Sequence, residues 1–343
     1  MTTGRAQHPT IKDIARQSGV SIKTVSRVMN NEAGVRAATA ERVRLIAERL
    51  GYAVNLAARQ LKTRRTGSIG IMVYASTHWQ WTADLVAGAL VRARERNYGL
   101  APFILQQYEA TEREAVLWLA SRHAVDGVIL TTPWNESPRL RNELRERGMP
   151  YVLLPAPAGL AEPGVRSDDA GGAGMLVRHL LELGHRRIGF VGGQKEISLT
   201  RERLAGIDSA LGEAGLRRDP AMTALGDYSF ERGYAEAERL LALDPRPTAL
   251  LCFSDLLGAA ALKAAHDRNL RVPLEISIVG MGDQLAGQIV WPALTTVAIP
   301  TEEMAGRAVD LLLDEIEGAA TPPRTVLFET TLIVRQSSGP APS

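Results

Sequence analysis

The sequence predicts two architectures in one chain: an all-α head of three helices, then an α/β body of two doubly wound parallel-sheet lobes. Three observations carry this. Apolar residues in 1–50 recur only at helical spacing, short β-branched runs alternate with longer amphipathic stretches from Ser68 onward, and the two parts differ in charge. Residues 1–66 hold 13 Lys and Arg against 4 Asp and Glu, a formal +9, whereas the remaining 27 basic and 34 acidic residues leave −7. A basic head on a mildly acidic body fits a small polyanion-binding module joined to a domain with another task. At 343 residues, 45% hydrophobic and 23% charged, the composition is that of ordinary globular domains and excludes a disordered or fibrous chain.

In the head, Ile11, Ile14 and Ala15 form one apolar stripe and Val25, Val28 and Met29 a second, with the breaker Gly19 between them. A third helix is expected from Thr39, read as its N-cap, through the stripe Val43, Ile46, Ala47 and Leu50, and Gly51 ends it.

Strand-like runs in the body include Ile69–Val73, Phe103–Leu105, Gly127–Leu130, Tyr151–Leu154, Ile188–Val191, Ala249–Phe253 and Ile276–Val279. Helical patterns such as Thr82–Arg96, Ala170–Leu183, Arg201–Glu213 and Asp255–Arg268 lie between them, and this alternation implies parallel sheets flanked by helices. A body of about 270 residues is long for one such sheet, so two lobes are expected. The Pro, Ala and Gly-rich stretch Leu154–Gly164 reads as a lobe boundary, and 337–343 as a flexible polar tail.

The single cysteine, Cys252, sits in the apolar run Leu250–Phe253, where a buried thiol is the simplest reading, and it fits a reducing cytoplasm. No stretch approaches a spanning helix, and Met1–Pro9 lacks the apolar core of a secretory signal, so a cytoplasmic protein without membrane contact is expected.

Ile11–Asn30 has the spacing of a helix-turn-helix: one helix through Ser18, a turn at Gly19 and Val20, and a second helix that Ser21 can cap. Such a second helix enters the major groove and faces base edges with its early exposed residues, here Ile22, Lys23 and Arg27. Arg27 can fork onto the two acceptors of guanine, Lys23 can donate to the same edge, and Ile22 offers apolar contact, for instance to a thymine methyl. Thr10, Ser21, Ser26, Asn30 and Thr39 can add phosphate contacts that position without specifying.

The run "TIKDIARQSGVSIKTVSRVMNN", with "RVRLIAERLGY" and "NLAARQL" after it, resembles the head of the lactose-repressor/galactose-repressor (LacI/GalR) family of bacterial transcription regulators. The resemblance continues through "IGIMV", "DGVIL", "GHRRIGFVGG", "TRERLAG", "VPLEISIVGMGD" and "PALTTV". It implies a repressor that binds a near-palindromic double-stranded DNA operator as a homodimer and is switched by a small-molecule effector, a sugar or related metabolite. It also implies a hinge helix that folds on the operator, with Asn55, Ala57, Ala58 and Leu61 at the minor groove. Asn55 is a competent cap, the alanines permit close helix contact, and Leu61 suits an unstacking wedge. Val54 stands where the family usually has proline, which leaves the turn into the hinge less fixed.

For the body, the resemblance implies two lobes like those of periplasmic binding proteins, crossed by three strands and closing on the effector. The expected divisions are a head at 1–50, a hinge at 51–66, a first lobe at 67–163 with 294–320, and a second at 164–293 with 321–336. The resemblance gives Arg201 the effector-clamping role and leaves Arg203 facing solvent; an arginine fork suits vicinal hydroxyls or a carboxylate. Trp79 or Trp81, beside His78, is expected to stack on the ligand. Ser254 and Asp255 stand where the family usually has Asn-Asp, and Gly282 where it has aspartate, with Asp283 one place later, so a plain hexose is not assumed. Trp291 is expected to pack at the lobe crossover rather than line the cleft.

An enzyme is not expected, nor a cofactor or metal. The Gly-rich segments "GGAG" and "GFVGG" match neither G-x-G-x-x-G nor G-x-x-x-x-G-K, the six histidines show no ligand spacing, and no G-x-S-x-G elbow occurs. Two alternatives stay open: a solute-binding protein of the same body fold, and a DNA binder that has lost its effector response.

Overall fold

The computed structural model describes residues 9–29, 33–51, 65–74, 79–105, 125–319 and 325–342, in two compact units, Met1–Arg65 and Thr66–Ser343. In the first, α1 (Ile11–Ser18), α2 (Ile22–Met29) and α3 (Ala37–Arg49) bury Ile14, Val25, Val28, Val43 and Ala47 in a common core. Gly19, in the left-handed region at φ 67°, ends α1 and makes the turn into α2. The third helix starts earlier than the sequence indicates. Arg36, not Thr39, is its N-cap, and Thr39 lies in the first turn with its amide donating to the Arg36 carbonyl at 2.9 Å. Ala37 and Ala38 favour helix strongly enough to extend it past the expected cap.

The second unit contains two six-stranded sheets, ordered β11-β5-β4-β3-β1-β2 and β12-β10-β9-β8-β6-β7. The first comprises β1 (Ser68–Tyr74), β2 (Gly99–Leu105), β3 (Val128–Leu130), β4 (Tyr151–Leu153), β5 (Gly164–Ser167) and β11 (Thr325–Phe328). The second comprises β6 (Ile188–Gly192), β7 (Thr223–Leu225), β8 (Ala249–Cys252), β9 (Ser277–Gly282), β10 (Thr295–Ala298) and β12 (Thr331–Ile333). Among the described residues, every strand pairing is parallel except β10 with β12.

Helices α4 (Trp79–Glu95), α5 (Pro138–Glu146) and α11 (Thr301–Glu317) cover the first sheet. Helices α6 (Asp169–Glu182), α7 (Ser198–Glu213), α8 (Phe230–Leu241), α9 (Asp255–Asp267) and the short α10 (Leu285–Ile289) belong to the second lobe. Helices α6 and α7 approach so closely that a Cβ on Gly206 would sit 1.9 Å from the Ala170 carbonyl oxygen.

The chain crosses between lobes after β5, after β10 and between β11 and β12, which moves the expected boundaries. Residues 164–167 and 325–328 belong to the first sheet, and 295–298 to the second. Leu154–Gly164 is no boundary; it joins two strands of the first sheet, and Leu154 and Ala156 are buried in that lobe.

The expected flexible tail is also corrected, because its hydroxyls and carbonyls satisfy buried groups of the second lobe. The Ser337 hydroxyl donates to the Ile278 carbonyl at 2.6 Å and accepts the Thr295 amide at 2.8 Å. Burial holds the His185 imidazole below its usual range and hence neutral. The Gly339 carbonyl, 3.0 Å from Nε2, can only accept, so Nε2 carries the proton, and Nδ1 lies 2.9 Å from the Thr248 hydroxyl. Ser337→Ala is therefore expected to cost about 1–3 kcal/mol in denaturant unfolding, by orphaning the Thr295 amide. A tail that merely hangs in solvent would give no change.

Candidate functional site

Two places collect the chemistry, one in each unit. In α2, Ile22, Lys23 and Arg27 are exposed while Val25 and Val28 are buried. At 3.6 residues per turn the three exposed side chains fall within an arc of about 140°, and the two valines lie on the other side. The helix therefore presents a basic and apolar face without exposing its core. Ser21 caps it, its Oγ accepting the Thr24 amide at 3.1 Å. The Thr10 hydroxyl donates to the Asp13 carboxylate at 2.7 Å, and these bonds hold that carboxyl below its usual range. Ser26 and Thr39 are half-buried. Asn30 and the hinge positions Asn55, Ala57, Ala58 and Leu61 lie outside the described residues.

In the body, strands of both lobes end at the cleft. Arg203 is 5% exposed, so the expectation that it faces solvent is wrong. Its Nε and Nη2 donate to Asp169 Oδ1 at 2.8 and 2.7 Å, and its Nη1 to the Phe253 carbonyl. The cause is helical register: Arg203 shares the buried stripe of α7 with Gly206, Ile207, Ala210 and Leu211. The Arg201 side chain is 55% exposed. It turns back to the Glu196 carbonyl, with Nη2 3.8 Å from Glu136 Oε2.

Ser254 is the N-cap of α9, its Oγ accepting the Leu257 amide at 3.2 Å. Asp255, fully buried, accepts from the Thr296 hydroxyl and the Gln284 amide, both at 2.6 Å. Burial pushes the Asp255 carboxyl up to about 6 against those two bonds, which act to lower it. Gly282 has φ +131°, a backbone state that L side chains rarely adopt, which gives a conformational reason for glycine there. Asp283, itself at φ 54°, pairs with Arg335.

Trp81 packs on the core of the first lobe, whereas Trp79 is exposed. Trp291 neither packs nor lines the cleft: it is 88% exposed. Sequence reasoning missed Trp134, fully buried and edge-on to Tyr74 with centroids 6.1 Å apart, at the carboxyl ends of β3 and β1. A cavity of about 330 Å³ lined from both lobes has the expected Asp283, with Gly282, on one side, together with Gln284 and, on the other side, Gln80, Asp84 and Glu302, which sequence reasoning missed. Burial raises the Asp84 carboxyl, and neighbouring Glu302 adds to the rise. Among the described residues, no Lys, Arg or His lines this cavity.

Residues 10–55 match the family described as bacterial regulatory proteins, lacI family, and residues 177–338 match a periplasmic binding protein-like domain. The HTH-type transcriptional regulator CelR of Thermobifida fusca is 35% identical over 97% of this chain and 99% of its own length. The chain belongs to the LacI family of bacterial regulatory proteins. Among solved structures, a CelR–cellobiose complex is 32% identical with a TM-score of 0.74, covering 96% of this chain and 99% of that one. A lac repressor dimer bound to operator and the anti-inducer ONPF is 27% identical with a TM-score of 0.78, covering 97% and 100%. This LacI-family member is accordingly a DNA-binding transcription regulator, with a helix-turn-helix head and a two-lobed effector-binding body. The relatives named are regulators rather than enzymes. Among the described residues, no helix is long and apolar enough to cross a membrane and no acidic, histidine or cysteine group is arranged to hold a metal.

Proposed function

We propose that this regulator is a cytoplasmic repressor that binds a near-palindromic operator as a homodimer and is switched by a neutral saccharide in the cleft. The observation that carries the DNA reading is the juxtaposition of exposed Ile22, Lys23 and Arg27 on a helix capped by Ser21. One such helix reads only a few base pairs, so two copies held by a two-fold axis are needed for a specific site. The lac repressor, a structural neighbour, binds its operator as a dimer. Apolar side chains fit the second copy: Ile289 is 72% exposed, with Leu285 and Trp291 near it in sequence, and Leu90 and Val91 are exposed on α4. Isolated exposed leucines are common, but this many large apolar groups on the same segment point to a covered face. Trp291→Arg is expected to convert a dimer to monomer in sedimentation velocity and to weaken operator binding more than tenfold. An unchanged dimer would remove this segment from the interface.

The saccharide reading draws on CelR, a relative found with cellobiose, and on the charge of the cavity. Asp84 and Glu302 can accept from hydroxyls, as can the Asp283 oxygen not paired with Arg335, whereas a phosphorylated or carboxylate ligand would meet like charge with no cation among the described lining residues. In this reading Gln80, Asp84, Asp283 and Gln284 contact the ligand and exposed Trp79 is available for stacking. Asp255 braces the second-lobe wall through the Gln284 amide, and Arg201, the arginine first singled out, lies away from this lining, beside Glu136. A thermal-shift comparison of cellobiose and other neutral saccharides with sugar phosphates tests it, because a ligand selective for the folded state raises stability. Stabilisation by neutral saccharides alone is expected; a shift only with phosphorylated sugars would overturn the ligand class. Bound effector acts through its differential affinity for two lobe arrangements, which limits how far it can move operator affinity.

A further inference from the structure

The cleft is not equally open at its two mouths. At one, the cavity of about 330 Å³ separates the start of α4 and of α11 from the end of β9. At the other, two carboxylates reach across. Glu136 ends the 3₁₀ turn after β3 in the first lobe, and its Oε1 accepts both the amide and the hydroxyl of Ser198 at 2.8 Å. Ser198 is the first residue of α7 in the second lobe, and Ile197, the N-cap, offers no side-chain acceptor. An orphan amide of α7 is therefore satisfied from the opposite lobe, at the end of the helix where negative charge is favoured. Glu202 reaches the other way: its Oε1 accepts the Ala158 amide at 3.2 Å, and its Oε2 pairs with Arg166 of β5. Side-chain exposures of 20% for Glu136 and 18% for Glu202 place both where solvent screens an ion pair less than at an open surface.

We propose that Glu136 and Glu202 form a reciprocal two-point latch that holds the lobes together along the α7 mouth, leaving the α4 and α11 mouth for the effector. The latch is made by the chain's own residues, so it sets the lobe angle from which a ligand must start. A site whose competent arrangement is held in advance binds with less loss than one populated only part of the time. Glu136 acts through Ser198 and α7, which makes it a positioning residue. Only the consequence for ligand binding rests on the cleft being the effector site; the latch itself is measurable without any ligand.

The test is an electron-spin distance measurement on the full-length chain, labelled at Arg139→Cys in the first lobe and Ser209→Cys in the second, both exposed helix positions. Cys252 is buried and does not take the label. The latched chain is expected to give a narrow distribution. Glu136→Ala with Glu202→Ala should lengthen and broaden it, whereas Glu136→Gln, which keeps an acceptor for Ser198, should stay close to the parent. Circular dichroism melting identifies a variant that has lost its fold, in which case the comparison rests on the single Glu136→Ala and Glu136→Gln chains. Superimposable distributions in Glu136→Ala, Glu136→Gln and parent overturn the latch. A failed saccharide screen would leave this result untouched.

Discussion

Arg27→Ala is expected to erase operator discrimination while leaving salt-dependent nonspecific binding almost intact. A guanidinium that forks onto a guanine contributes about 1–3 kcal/mol of discrimination per contact, and a dimer loses it in both half-sites. Phosphate contacts elsewhere in the head set the slope of affinity against salt, and a base-reading residue contributes little to that slope. The measurement is a titration of operator and scrambled duplexes at several salt concentrations. Val25 and Val28 hold α2 from beneath and are untouched by the substitution, so the head should melt as before. An unchanged preference for operator would remove Arg27 from the reading set.

Arg203→Ala is expected to be among the most destabilising single changes in the body. It strips Asp169 of its cation while that carboxylate stays buried, its other oxygen bonded only to the Ser167 hydroxyl among the described residues. Breaking a buried pair from one side costs about 3–5 kcal/mol, because the surviving charge is left uncompensated. In a lobe of this size that is a fall in melting temperature on the order of 10 °C. Arg203→Met with Asp169→Leu should recover most of the loss, since removing both charges removes the penalty. Arg201→Ala, two residues away at a half-exposed position, should barely move the melting curve. Equal melting of the Arg203→Ala and parent chains would contradict the buried pair.

That contrast marks where the sequence was legible. Arg201 and Arg203 stand about 200° apart on a helix, so only one can face inward. The signal that decides between them was present: Gly206, Ile207, Ala210 and Leu211 follow Arg203 at helical spacing, which puts it on the buried stripe. Resemblance to a family motif selected the neighbour instead. The exposed face of α2 was legible because its two periodicities agree, with valines inward and Ile22, Lys23 and Arg27 outward.

The lobe boundaries were less legible. Strands β5, β10 and β11 are four residues each and lie beside the crossings, and nothing in so short a run says which sheet it joins. The tail reads as a polar loop in isolation, and only the tertiary positions of His185 and Thr295 give its hydroxyls and carbonyls work. Trp134 follows an ordinary strand and turn, and its burial depends on packing against Leu140, Leu144 and Tyr151. The cavity joins segments more than two hundred residues apart, at Asp84 and Glu302, which local pattern cannot bring together.

Selection of binding sites from a random duplex library by the purified full-length chain tests the central claim most directly. A regulator that reads DNA with paired α2 helices should enrich a near-palindrome with two equivalent half-sites, and the Arg27→Ala chain should enrich none. Enrichment without two-fold symmetry, or no enrichment at all at salt concentrations where nonspecific binding has been lost, would contradict the account.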